Sequence, residues 1–241
     1  MKTTIKKIVL AGFLIIATTQ LWSQSVSHKH SRIPLLNEDA PAFTAESTNG
    51  TLNFPGDFGS KWKILFSHPA DFTPVCTSEL LELAKMQQDF KDLNVEIAVV
   101  STNDLNLHKA WKVSMEEMLS KDNDPVKIKF PLIDDSNLDI GWKYGMLTAS
   151  HESFKAVRGV YIIDPNNKVK AISFYPMEVG RNMEEIKRMV IALQTAEKNT
   201  VLIPANWKPG ENVLLPYLKS VEDYDASRYP SFYLLYSSLE K

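Results

Sequence analysis

The sequence predicts a three-layer α/β domain on a mixed central sheet, followed by a C-terminal arm, and three observations carry that prediction. Short apolar strands alternate with amphipathic helices from Pro41 onward. The stretch Val95–Ser101 (VEIAVVS) is apolar on both faces, as a strand buried between two layers must be. Near residue 165 two strands are separated by a tight turn, which adds an antiparallel hairpin to the strands linked by helices.

Taken in order, Trp62–Ser67 (WKILFS) is a short apolar strand. Residues 74–90 place Cys76, Leu80, Leu83, Ala84 and Phe90 close to helical spacing. Leu105–Leu119 reads as a helix with Leu107, Trp111, Met115 and Met118 on its apolar side. Residues 131–133 begin a short strand that Asp134 and Asp135 end. Residues 159–163 (GVYII) form a strand stopped by Asp164-Pro165. Asn166-Asn167 then turns the chain into the strand 169–174. Residues 183–195 form a helix with Asn182 as its N-cap. Beyond Asn199 the pattern breaks at Pro204, Pro209, Pro216 and Pro230 among many aromatics, which reads as an appended arm.

The start of the chain reads differently. Lys2, Lys6 and Lys7 precede an apolar stretch from Ile8 to Ala17, too short for a stable span and suited to a signal peptide. Residues 24–40 are polar and lack periodicity. The expected organisation is a signal peptide over 1–25, a linker over 26–36, the α/β domain over 37–198 and the arm over 199–241. Export follows from the leader, with no stable membrane insertion once it is removed; an uncleaved anchor is the competing reading.

The chain has one cysteine among 241 residues, so no internal disulfide can form. A free thiol in an oxidising compartment is a liability unless it is used. Its setting is suggestive. Thr73 is a favoured N-cap residue, Pro74 suits the first helical position, and Cys76 falls third in the helix. There it lies among unpaired N–H groups at the positive end of the helix dipole, and both favour thiolate over thiol. The same local pattern also fits an ordinary helix start with a core cysteine.

The fuller pattern decides between them. Pro69-x-x-x-Thr73-x-x-Cys76, within FSHPADFTPVCTSEL, resembles the active-site signature of the peroxiredoxins, in particular their one-cysteine, peroxiredoxin-six-like subfamily. RGVYIIDP beginning at Arg158, YPMEVGRN containing Arg181, and the distal VLIPANWKPGENVLLP extend the similarity over about Leu36 to Pro216 in order. The resemblance implies a thioredoxin-like fold. It implies a thiol-specific peroxidase in which Cys76 attacks peroxide and becomes a sulfenic acid, which an external thiol or other small reductant recycles. Arg158 would lie beside the sulfur, Thr73 would hydrogen-bond thiolate or peroxide, and Pro69 would shield the sulfur. His68, Glu79 and Arg181 are further candidates: His68 as a hydrogen-bonding group near the sulfur or a structural residue at a strand end, Glu79 as a carboxylate orienting an arginine or a solvated helix charge, and Arg181 as a supporting cation or a plain salt-bridge partner. No metal or other cofactor is needed, and a homodimer with the arm reaching its partner is expected.

Other classes are weaker. A disulfide oxidoreductase needs Cys-x-x-Cys, and position 73 is Thr. A built-in resolving cysteine is absent. Gly59-Ser60-Lys61-Trp62-Lys63 lacks the Gly-x-Ser-x-Gly elbow of a lipase. His28-x-His30 in the linker offers too few fixed ligands for a metal. A formal charge of -2 gives no reason to expect nucleic acid. The non-enzymatic alternative is a redox-responsive chaperone or binding protein on the same fold.

Overall fold

The computed structural model describes residues 33–121, 125–149, 154–218, 220 and 224–239. The expected signal peptide, most of the linker and His28-x-His30 lie outside these residues. The strands are β1 (Phe43–Ser47), β2 (Gly50–Phe54), β3 (Trp62–Ser67), β4 (Val95–Ser101), β5 (Leu132–Asp134), β6 (Leu147–Ala149), β7 (Phe154–Ala156), β8 (Arg158–Ile163), β9 (Val169–Tyr175), β10 (Val213–Leu214) and β11 (Tyr236–Ser237). The α-helices are α1 (Pro74–Asp92), α2 (Leu105–Leu119), α3 (Asp139–Tyr144) and α4 (Met183–Asn199).

Seven strands form one sheet in the order β2-β1-β5-β4-β3-β8-β9. β3, β4 and β5 run parallel, and the other pairings are antiparallel, so the sheet is mixed as expected. Apolar residues cover both faces. Ile64, Phe66, Ile97 and Val99 join a core with Leu80, Leu83 and Phe90 of α1, Trp111 and Met115 of α2, and Ile186 and Val190 of α4. Leu65, Ala98, Val100 and Tyr161 point the other way, against Phe43, Phe54, Ile140 and Tyr144. This two-sided burial is why the central strands read as unbroken apolar runs.

Strand and helix ends move by a few residues, and two features differ from expectation. α2 does not bury Leu107 and Met118, which are exposed; its inner face is His108, Trp111, Met115 and Leu119. A polar residue on the buried stripe shifted the apparent phase. The β1–β2 hairpin and the six-residue α3 were not anticipated. Each is too short to establish a period, although Asn49-Gly50, with Gly50 at φ 98°, is a hairpin signal. The unpatterned end of the 24–40 stretch is held largely by backbone bonds: Asn37 N donates to Val169 O (2.7 Å) and Val169 N to Glu38 O (2.9 Å), with Lys168 Nζ pairing with Asp39 Oδ1 at 2.8 Å.

In the C-terminal segment Val201, Trp207 and Val213 pack against Ala192 of α4, and β10 pairs with β11. Arg188 Nη1 donates to Trp207 O at 3.1 Å.

Register brings three chain segments to one end of the sheet. Phe66 of β3 lies opposite Val160 of β8, so Arg158 at the start of β8 falls beside the end of β3. Arg158 in turn lies opposite Tyr175, so the loop after β9 returns to that end. Ser67 ties the crossing together, donating to Val157 O (2.6 Å) and accepting from Gly159 N (2.9 Å). A Cβ at Gly159 would stand 2.8 Å from Ser67 Oγ and 3.2 Å from the Phe174 ring. Gly159→Ala is expected to destabilise the fold by about 1–3 kcal/mol through overpacking, as a lowered urea midpoint at unchanged slope.

Candidate active site

Cys76 occupies the third position of α1, behind Thr73 at the N-cap and Pro74 at the first helical position. Its neighbours follow from the register just described. The loop 68–73 leaves the end of β3, α1 opens beneath it, Arg158 arrives from β8, and the segment after β9 delivers Arg181 ahead of α4.

Arg158 is buried, and all of its donor nitrogens are fixed. Nη1 lies 3.2 Å from Cys76 Sγ and 2.8 Å from Glu79 Oε2. Nε and Nη2 both donate to the Met177 carbonyl, at 3.0 and 2.7 Å. Glu79 sits three residues after Cys76 and therefore on the same helical face. Arg181 grips that carboxylate from the other side. Its Nε reaches Oε1 (2.9 Å), its Nη2 reaches Oε2 (2.8 Å), and its backbone N also donates to Oε1 (2.7 Å). The remaining nitrogen, Nη1, donates to Ser67 O and Gly159 O at 2.9 and 2.7 Å. The guanidinium also lies over the Phe66 ring, 5.1 Å from its centroid. One buried anion between two buried cations, with the sulfur on the edge of the network, presents a rigid N–H donor to anything that forms at Sγ.

All seven expected residues gather at this end of the sheet, with two corrections of role. Thr73 stands at the N-cap position, and its carbonyl accepts the first helical bond from Thr77 N, but its side chain does not cap the helix: its hydroxyl donates to Ala70 O at 2.8 Å. A hydroxyl has one proton, so Thr73 cannot at the same time donate to the thiolate; its lone pairs remain available. His68 does not hydrogen-bond the sulfur. Neither ring nitrogen has a hydrogen-bond partner among the described residues, and the ring lies beside Trp111 at 5.1 Å. Pro69 is buried directly after it. Arg181 lies in a supporting position, paired with Glu79. Three groups at this end of the sheet had no sequence expectation: the Met177 carbonyl, which accepts from Arg158, and the paired side chains of Asp71 and His108. A backbone carbonyl leaves no trace in a sequence, and His108 was hidden on an apolar helix face.

Burial, and next the charges of His108, Arg181 and Arg158, push the His68 imidazole well below the ordinary histidine range. In the unfolded chain it takes a proton below about pH 6.5, whereas the folded site resists one. Protons therefore favour the unfolded state through this group, and its contribution is present above about pH 6.5 and lost as pH falls. Asp135, whose carboxyl burial raises to about 6, works in the opposite sense, being easier to keep buried as pH falls. The difference between wild type and His68→Gln isolates the histidine: the wild type should lose up to about 1.4 kcal/mol more per pH unit between about pH 6 and pH 5, read from urea midpoints.

A single buried cysteine at a helix start, held against a fixed guanidinium on a mixed thioredoxin-like sheet, defines a thiol-dependent peroxidase. Comparison gives the family. The AhpC/TSA family matches residues 36–172, and the C-terminal domain of 1-Cys peroxiredoxin matches residues 192–227. A peroxiredoxin of Methanosarcina mazei is 47% identical over 191 residues, 79% of this chain and 87% of the relative. The structure of a variant of peroxiredoxin 6 from Arenicola marina superposes with TM-score 0.76 at 32% identity, covering 86% of this chain and 99% of that one. A yeast mitochondrial 1-Cys peroxiredoxin, described with its thiol resolving mechanism through glutathione and thioredoxin systems, gives TM-score 0.76 at 35% identity over 86% of this chain and all of that one. The chain belongs to the peroxiredoxin (AhpC/TSA) family and is a one-cysteine peroxiredoxin, an antioxidant thiol peroxidase.

Proposed function

We propose that Cys76 reduces hydrogen peroxide and organic hydroperoxides and that an external reductant recycles it. The observation that carries this is the 3.2 Å approach of Arg158 Nη1 to Cys76 Sγ, with the rest of that guanidinium pinned by Glu79 and Met177. The Cys76 thiolate attacks one peroxide oxygen. An S–O bond forms as the O–O bond breaks, the sulfur loses two electrons, and the departing oxygen takes a proton to leave as water or an alcohol. Arg158 polarises the O–O bond from one side. The Thr73 oxygen, its own proton committed to Ala70, accepts the hydroperoxide O–H. Pro69 shields the sulfur from the loop side.

The product, Cys76 sulfenic acid, has no second cysteine to resolve it. An external thiol displaces water to give a mixed disulfide, and a second thiol releases Cys76 again. Because Cys76 is fully buried, groups around it must move aside before that thiol reaches the sulfur. The glutathione and thioredoxin systems named for the yeast relative make both the first candidates. The arm beyond α4 is proposed to cross to a second copy in a homodimer, and residues 1–25 to direct export; sedimentation, and N-terminal sequencing of the mature protein, test these two points.

Cys76→Ser is expected to abolish peroxide consumption with the fold retained. For recycling, the sulfenic acid is formed with one equivalent of peroxide and offered glutathione, reduced thioredoxin or ascorbate in turn. Return of the free thiol identifies the reductant, and failure of every thiol would remove the thiol-recycling reading.

A further inference from the structure

Among the described residues Asp71 and His108 make no hydrogen bond to the sulfur, yet they form a buried polar pair at the root of the active-site loop. His108 Nε2 is 3.0 Å from Ile133 O, and a carbonyl only accepts, so Nε2 carries a hydrogen. Nδ1 is 2.7 Å from Asp71 Oδ2. A proton must lie between those two atoms, and the pair is neutral overall whichever holds it. The other carboxylate oxygen, Asp71 Oδ1, has no hydrogen-bond partner among the described residues and stands 3.6 Å from His68 Nε2. All three side chains are fully buried.

The pair also anchors the loop. Asp71 N donates to Asn103 Oδ1 at 2.8 Å, so backbone and side chain of Asp71 are both tied to the segment running from β4 into α2. The next residue, Phe72, stands at φ 55°, a conformation costly for a bulky side chain and kept only where its surroundings hold it. Thr73 follows immediately.

We propose that Asp71 and His108 are positioning residues for the peroxide reaction, a proton-sharing pair that locks the 68–73 loop and fixes His68 with its Nε2–H toward Asp71 Oδ1. The proposal rests on Cys76 as the nucleophile. The charged and titratable groups around His68 are Asp71 on its own loop, His108 on α2, Arg158 on β8 and Arg181 ahead of α4, with Cys76 and Glu79 of α1 beyond the arginines. A neutral ring adds no third cation to this cluster. Loss of the His108 partner leaves Asp71 as an unpaired buried carboxylate facing His68, which then draws a proton onto that ring.

The test uses the full chain labelled with ¹⁵N-histidine. Ring-nitrogen spectra of the wild type are expected to show His68 as the neutral Nε2–H form throughout about pH 5–8 and His108 with hydrogen on Nε2. In His108→Gln and in Asp71→Asn the His68 signals should change, His68 titrating within that range in the first. The rate of Cys76 oxidation by hydrogen peroxide should fall roughly tenfold in each, with a new inflection in its pH profile for His108→Gln. The double variant should be no slower than the slower single, because the pair acts as a unit. A wild-type spectrum with His68 as imidazolium or with its hydrogen on Nδ1 would overturn the proposal without any variant having to fold. So would single variants with wild-type rates, or losses that simply add. A wild-type protein whose Cys76 does not outpace free cysteine would fail the peroxidase reading instead, which the spectra separate from the positioning claim.

Discussion

Arg158→Ala is expected to slow oxidation of Cys76 by hydrogen peroxide by about 10²–10³-fold, the scale set by removing one fixed donor from a developing anion. Arg158 supplies the one hydrogen bond to Cys76 Sγ seen among the described residues. The fold should survive. Glu79 keeps its three hydrogen bonds from Arg181, so its charge stays paired. The exposed cost is the Met177 carbonyl, which loses both of its guanidinium donors, worth about 1–3 kcal/mol. Arg158→Lys should recover part of the rate at most, because a single ammonium cannot reach the sulfur, Glu79 and the Met177 carbonyl together. Stopped-flow oxidation alongside circular dichroism checks both halves. Unchanged kinetics in a folded Arg158→Ala protein would remove this residue from the site.

Glu79→Ala is expected to be the more damaging change to stability. It leaves two buried guanidiniums, Arg158 and Arg181, facing each other across a void with no anion between them. Breaking a buried ionic network by removing one partner costs about 3–5 kcal/mol. Released from Glu79, Arg158 is held only by the Met177 carbonyl and the sulfur itself, so Nη1 is less rigidly placed and the peroxide reaction should slow as well. Glu79→Gln keeps the acceptor oxygen and the volume but not the charge, and should fall between wild type and Glu79→Ala in both respects. Urea unfolding with the wild-type slope and a sharply lower midpoint is the expected result. A wild-type midpoint in Glu79→Ala would show that the network is not holding this end of the sheet together.

Much of the site was readable because its parts are side chains placed at element boundaries. Cys76 follows a strand end, a threonine and a proline; Arg158 opens a strand; Arg181 precedes a helix N-cap. Such positions have local signatures, and antiparallel register then carries them to one place. Three features had no such signature. The direction of the Thr73 hydroxyl depends on Ala70 O lying within 2.8 Å, a property of loop geometry that the preference of threonine for helix starts does not reveal. The Met177 carbonyl clamps Arg158 as backbone. His108 took the place of an apolar residue on the buried stripe of α2, which made Leu107 and Met118 look like its inner face when they are exposed. On the fold side, the two-sided apolar strands were plain, whereas β1, β2 and α3 were too short for periodicity to show.

Peroxidase chemistry at Cys76 is read out by the second-order rate at which hydrogen peroxide converts its thiol to the sulfenic acid. It is followed by rapid mixing, with mass spectrometry confirming one added oxygen on the Cys76 peptide. A rate orders of magnitude above that of free cysteine at the same pH, lost in Cys76→Ser and cut by Arg158→Ala, is the predicted result. A rate no faster than free cysteine, or full peroxide consumption by Cys76→Ser, would contradict it.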